Sequence, residues 1–345
     1  TTEVTAQSGS AHVIDLEGKS VTPGFIDTHG HIALFGLDEL KVQLEGANTR
    51  AEMINRIAAA TSSAALGEWL ITTPMGTAPY FLDFEALRAA GEVPTRQELD
   101  RVSPQNPVYI TAPTNRVPNS AVLNSRALEL AGITADTVTE APIEIVVDSN
   151  GEMTGELRGA MQPLYNPYPF YERIARVIPQ PTYADRLKGI RILGPQFAAG
   201  GTTTLLEAHL THPEELRAYA ELLEEGTLPL RVFFTFEING QASLPEIEQF
   251  LATLRFAAGA GFGSAQLKVI GISVGLDGPY WHGAAANDKP YPGPFGDTVD
   301  PQTLIDPDKY REIVRLAIAH NFRLYTECAG RGSIQITLDA LKAAD

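Results

Sequence analysis

Two apolar periods run through this chain, and the more regular of them begins near residue 200. Beyond Gly200, short apolar runs alternate with longer segments in which apolar positions recur every three or four residues. The short runs read as strands and the longer segments as helices. Strands are expected at Gly200–His209, Leu230–Phe236, Leu267–Ser273 and Phe322–Cys328. Helices are expected at Ala184–Ala199, Pro213–Glu225, Leu244–Ala258, Asp308–His320 and Ser333–Ala344. Such alternation argues for an α/β fold in which a parallel sheet carries helices outside it. One earlier strand, Gly24–His31, reads as short and buried.

Far more chain separates that strand from Gly200 than the short connections usual in α/β units. Roughly residues 40–182 are therefore expected to form a large insertion with its own structure. Asn106–Ala112 is a β-branched run bounded by prolines. Asn119–Gly132 reads as a helical segment with a glycine where a helix stops. Val146–Arg158 reads as a strand, a tight turn at Asn150–Gly151 and a returning strand.

At 345 residues the chain can bury a large core, as one elaborated barrel or as two ordinary domains. A formal charge of −16 speaks against nucleic acid or an anionic membrane as partner, since both need basic patches. The single cysteine, Cys328, excludes an internal disulfide and fits a reducing compartment. No apolar run approaches membrane-spanning length, and the first residues lack the basic and apolar blocks of a signal peptide. A cytoplasmic location and a small-molecule partner are the expectation. Gly200–Gly201 lacks the Lys-Ser/Thr that makes a glycine-rich loop bind nucleotides.

The chemistry concentrates at Val21–Ile32, where an apolar strand anchored by Pro23 and Gly24 ends in His29 and His31. Side chains two apart on an extended backbone point the same way, so both imidazoles can reach one metal ion. Imidazole is the commonest protein ligand for such ions. Lys268 lies inside an apolar strand. An unpaired buried ammonium is costly, so this lysine must snorkel, pair with Glu237 or Asp277, or be modified. Just past that strand, Asp277, Tyr280, Trp281 and His282 fall in a loop rich in Gly, Pro and aromatics. They either line a substrate pocket or pack the loop down. His209 stands at a strand end as a ligand or as a hydrogen-bonded residue. Arg158 either gates substrate or is solvated. Cys328 is expected to face away from Glu327 by strand alternation, and His12, His212 and His320 read as structural.

Val21–Ile32 resembles the strand-1 signature of the amidohydrolase superfamily, and Ala11–Ser20 resembles the strand-turn-strand that closes a small β-domain before its barrel. Gly67–Trp69, Pro107-Val108, Asn124-Ser125, Ala127-Leu128, Ala131–Ile133, Asp148, Gly151 and Thr154–Leu157 follow in the order of one branch, amidohydrolase family 3, the YtcJ-like proteins. The resemblance implies a (β/α)8 TIM-type barrel with a metal centre at its mouth, about five βα units being visible. Residues 1–22 would be the remnant of an N-terminal β-domain and residues 23–345 the hydrolase barrel, incomplete at its C-terminus. It implies one or two divalent ions (zinc, cobalt, iron or manganese), hydrolysis at a carbonyl carbon bonded to nitrogen, and association into homo-oligomers. Strand C-termini share one mouth in such a barrel. The implied metal set is His29, His31, Lys268 and Glu327, with Lys268 free or carboxylated. The implied substrate set is Arg158, His209, Asp277, Trp281 and His282, with Glu207 also at a strand end. Lys268 coincides with the lysine of the family's Val-Lys-x-Phe-x-Asp-Gly strand, which finishes here at Asp277-Gly278 after extra residues.

Strand 5 departs from the family. Its His-Ala-x-Gly-Asp-x-Ala becomes Glu327–Ser333, with glutamate at the ligand position and Arg331 in place of aspartate. A carboxylate can still hold a divalent ion. Glutamate at this position also resembles molinate hydrolase and the phenylurea hydrolases, which act on small apolar thiocarbamates or ureas. The family's strand-6 histidine and its strand-8 aspartate, the general base, are expected beyond Asp345, so the catalytic residue is not assigned. The competing expectation is a barrel without its metal that serves as a binding or regulatory module.

Overall fold

The computed structural model describes residues 14–161, 169–210 and 212–344. Five parallel strands stand side by side in sequence order: β1 (Phe25–Gly30), β2 (Thr202–Leu210), β3 (Arg231–Glu237), β4 (Leu267–Gly275) and β5 (Leu324–Glu327). Phe262–Gly263 adds a short antiparallel pairing to β4. Helices α1 (Tyr183–Ala199), α2 (Pro213–Glu224), α3 (Leu244–Thr253), α4 (Pro307–Ala319) and α5 (Arg331–Ala344) alternate with β2–β5. The result is an α/β fold whose parallel sheet curls as a half-barrel. The helix expected to reach Ala258 ends at Thr253 and passes into a 3-10 turn at Arg255–Ala257.

Helix starts are set locally. Asp306 accepts from the Asp308 and Lys309 N–H groups at the head of α4, while Pro213, Glu214 and Glu215 fill the first turn of α2. The apolar stripes then bury on the sheet: Val232, Phe234, Val269, Ile272 and Val274 pack with Tyr219, Leu222, Ile247, Leu251, Tyr310 and Ile313. Strand alternation sends the intervening residues to the other, inner face. Glu237, Tyr325 and Glu327 carry that parity, and Cys328 packs against the helix-side core as alternation requires.

The first strand corrects one expectation. β1 is not buried: Phe25 is 64% and Ile26 67% exposed, because among the described residues β1 pairs with β2 alone and forms the sheet edge. Of the expected strand-turn-strand at Ala11–Ser20, the turn stands at Glu17–Gly18, but residues 14–24 form no strand. His12 lies outside the described residues.

Between β1 and β2 the chain builds a second sheet, in the order Leu70–Thr72, Val108–Ile110, Asn119–Leu123, Met153–Gly159, Glu144–Val147. The expected hairpin is present, with Gly151 at φ +82° supplying its turn. The expected helix over Asn119–Gly132 is corrected: Asn119–Leu123 is a strand, and the helix covers only Ser125–Ala131 before Gly132 at φ +63°. The Asn124 side-chain oxygen accepts from both Ala127 N–H and Val108 N–H, so one residue caps the helix and ties the strand. Ala121, Val122 and Leu123 are fully buried in a row, which suits a central strand rather than one stripe of a surface helix. Among the described residues no helix is long and apolar enough to cross a membrane.

Candidate metal centre

The C-terminal end of β1 aims both histidines at one point. His29 Nε2 and His31 Nε2 lie 3.1 Å apart. Each ring is held by a second partner. Tyr325 Oη, the phenol oxygen on β5, stands 3.3 Å from the Thr28 carbonyl and 3.0 Å from His29 Nδ1. With its single proton given to that carbonyl, the phenol oxygen accepts from His29 Nδ1–H and leaves Nε2 with its lone pair. The His31 ring bonds the Ala208 backbone, and burial, followed by the neighbouring His29 and His209 rings, lowers its pKa to about 4. Burial first, then His209, also lowers His29. Both imidazoles are thus neutral and ligand-ready at pH 7. Two ligands about 2.0–2.1 Å from an ion lie about 2.8–3.0 Å apart in octahedral and about 3.3–3.4 Å apart in tetrahedral geometry, and the 3.1 Å between these nitrogens falls between the two.

β2 and β3 add a second pair. Strand parity would place His209 with Leu205 and Glu207 on the helix side. A register shift between Glu207 and Leu210, together with a left-handed backbone at His209 (φ +58°), turns it towards β3 instead. Its Nδ1 lies 2.6 Å from Glu237 Oε2, and its buried Nε2 lies 3.7 Å from Glu327 Oε2. Burial works to lower the His209 pKa, but the Glu237 hydrogen bond and charge, with that of Glu327, hold it above the ordinary value. The other Glu237 oxygen accepts from Gly275 N–H, locking β3 to β4 at this level. Glu207 serves the frame. It accepts from the Ile32 and Ala33 N–H groups and from Tyr219 Oη, and burial raises its carboxyl to about 8.

Among the described residues, no three His, Cys, Asp or Glu side chains close around a common point that could hold an ion. The donors come as two pairs, His29 with His31 and His209 with Glu327, with ring centroids of His29 and His209 5.3 Å apart. The imidazole pair fits two positions on one ion, since two lone pairs facing each other need a proton or a cation between them.

Other expected residues stand elsewhere. Lys268 is at the start of β4, opposite Phe233, whereas Glu327 pairs with Gly275 at the strand's far end. Seven residues of strand put roughly 20 Å between those levels. In the family pattern the lysine stands four residues before Asp-Gly; counted back from Asp277, that position is Ser273, fully buried and level with Glu237 and Tyr325. Lys268→Met is expected to leave divalent-metal content unchanged, as measured by elemental analysis against wild type. Asp277 is fully buried and accepts from Ala286, Ala329 and Gly330 N–H and from Ser333 Oγ, so it fastens the β4 loop to the head of α5. Arg158 pairs with Glu144 across two strands of the second sheet. Trp281 is half-exposed and its carbonyl takes the Val117 N–H, while buried His282 bonds the Thr114 backbone. These contacts join the β4 loop to the second sheet's connections. His212 caps α2, as a structural histidine would.

A cavity of about 810 Å3 opens over the centre, lined by His31, His209, Glu237 and Glu327 at one end. Its apolar wall is aliphatic (Leu34, Ile238, Leu304, Ile305) with Phe35, rather than the loop aromatics expected from the sequence. Glu237 and Tyr325 are the site residues that the sequence did not assign to it. Both were signalled: Glu237 ends an apolar strand, and Tyr325 shares Glu327's face at a spacing of two.

The pattern of the amidohydrolase family matches residues 12–345. The chain is 33% identical to N-substituted formamide deformylase of Arthrobacter pascens over 155 residues, 44% of this chain and 26% of that protein. It is 25% identical to the exoenzymes regulatory protein AepA of Pectobacterium carotovorum subsp. carotovorum over 97% of this chain and 67% of that one. The chain thus spans about a quarter of the deformylase's length. A crystal structure of an uncharacterized metal-dependent hydrolase from Pyrococcus horikoshii superposes with a TM-score of 0.65 at 22% identity, over 99% of this chain and 60% of that one, which shows the fold. With its family's pattern matched from residue 12 to residue 345, the chain belongs to the amidohydrolase family.

Proposed function

We propose that this chain is a metal-dependent hydrolase that cleaves a carbon–nitrogen bond, or a related carbamate, thiocarbamate or urea bond, at a carbonyl carbon. The observation that carries this reading is the convergence of His29 Nε2 and His31 Nε2 at 3.1 Å, each ring fixed by another partner. His29 and His31 would hold the ion, zinc, cobalt, iron or manganese, and Glu327, which lines the same cavity, would have to close on it to serve as third ligand. When bound, a divalent ion polarises the carbonyl and lowers the pKa of water towards neutrality. Tyr325 and the Ala208 carbonyl keep the imidazoles in the ligating tautomer. His209, held by Glu237, turns its buried Nε2 towards Glu327 and would steady that carboxylate beside the ion, or would donate to a substrate that displaces it. Ile238 and Ile305 give the cavity a buried aliphatic surface against which an apolar substituent can pack. The family membership and the deformylase relative, named for a carbon–nitrogen substrate, support this choice of bond.

The test is turnover of a panel of small amides, formamides, ureas and carbamates by the full chain loaded with each metal. Activity is expected to vanish on chelation and return with the ion. Tyr325→Phe is expected to weaken metal binding about 10–100-fold without unfolding the chain, as outer-shell losses do, read by competition with a chromogenic chelator.

The second reading is a barrel that binds without catalysis, favoured by a donor set that does not close around one point and by the regulatory name of AepA. A stable full-length protein that takes up no divalent ion decides for it.

A further inference from the structure

We infer that the cavity over the centre selects neutral substrates with an apolar group and rejects those carrying a carboxylate remote from the scissile bond. Turnover of such a substrate rests on the hydrolase reading; its binding does not.

Four glutamates line the cavity, and among the described residues no lysine or arginine does; Glu207 is held protonated by burial and Glu215 is paired with Arg186, so Glu237 and Glu327 supply its negative charge. The positive charge nearby is already committed. Arg186 Nη1 lies 3.0 Å from Glu215, and His209 faces Glu237 at 2.6 Å and Glu327 at 3.7 Å. An ion held by the imidazole pair would bring charge to the reacting carbonyl, not to the wall farther out. That wall is Leu34, Ile238, Leu304 and Ile305, with Ile238 and Ile305 almost wholly buried. Gln241 stands at its rim, one of its two amide N–H donors given to the Leu304 carbonyl, and it brings no charge to the cavity. A carboxylate here would lose its hydration against aliphatic carbon and find, among the described lining residues, no cation that is not already paired with a glutamate. An apolar substituent gains by burial on the same surface.

The experiment uses the full chain, metal-free and metal-loaded, titrated calorimetrically with acetanilide and with 4-acetamidobenzoate. The neutral probe is expected to bind at least about tenfold more tightly in both states, the scale of a modest like-charge penalty. Gln241→Arg places a cation at an exposed rim position, where folding is undisturbed, and is expected to narrow the gap by tightening the carboxylate probe. Equal or tighter binding of 4-acetamidobenzoate by wild type, binding of neither probe, or a gap unchanged by Gln241→Arg would overturn the inference. Acetanilide bound with the expected preference but never cleaved by the loaded protein would instead sink the hydrolase reading and leave this one standing.

Discussion

His29→Ala is expected to lose its divalent ion and to lower turnover by at least about a hundredfold, beyond the 10–100-fold that even an outer-shell loss costs. The cause is geometric. His29 and His31 are two neutral imidazoles whose Nε2 atoms face each other at 3.1 Å, and removing one leaves a single nitrogen of the pair to hold the ion. His31→Ala should behave the same way, because neither ring holds an ion alone. Lys268→Met serves as the control, since its level on β4 is opposite Phe233 rather than at the mouth. Metal per chain by elemental analysis, with circular dichroism to confirm folding, reads the result. Stoichiometric metal retained by a folded His29→Ala protein would mean that the ion is bound elsewhere.

Asp277→Ala is expected to destabilise the fold by about 3–5 kcal/mol, through the loss of hydrogen bonds to a charged acceptor and the stranding of buried donors. Its carboxylate collects three backbone N–H groups and the Ser333 hydroxyl at 2.7–2.8 Å. The surrounding chain has no slack: a Cβ on Gly330 would lie 2.3 Å from the Ala286 carbonyl. Ala329 and Gly330 stand two and three residues beyond Glu327 at the strand end, so the same substitution should also weaken metal binding. Asp277→Asn keeps one acceptor oxygen and should recover part of the loss. Urea denaturation monitored by tryptophan fluorescence provides the measurement. A shift below about 1 kcal/mol for Asp277→Ala would show that water replaces the carboxylate at little cost.

Periodicity in the chain identified the parallel strands, the helices after residue 184 and the inward parity of Glu327, because a period of two or of 3.6 is a local property of the backbone. It failed where local preference and burial conflict. Asn119–Leu123 carries residues that tolerate a helix, but a central strand of the second sheet buries all of them. The capping boxes Thr49–Glu52 and Thr95–Glu98, local signals in the sequence, start helices at Arg50–Thr61 and Arg96–Val102.

For the site, the sequence by itself determined the His29–His31 pair and its shared direction, since two residues on one strand need no distant partner to align. It determined equally that Cys328 turns away. Height along the sheet was decided only by tertiary structure. Strand register set Glu327 beside Gly275 and put Lys268 at the opposite end, although both were chosen as strand residues of the same centre. The left-handed turn at His209 and the grip of Glu237 on both His209 and Gly275 likewise depend on how neighbouring strands meet. A linear pattern records which face a residue occupies, while the level at which two strands pair comes from contacts between segments far apart in the chain.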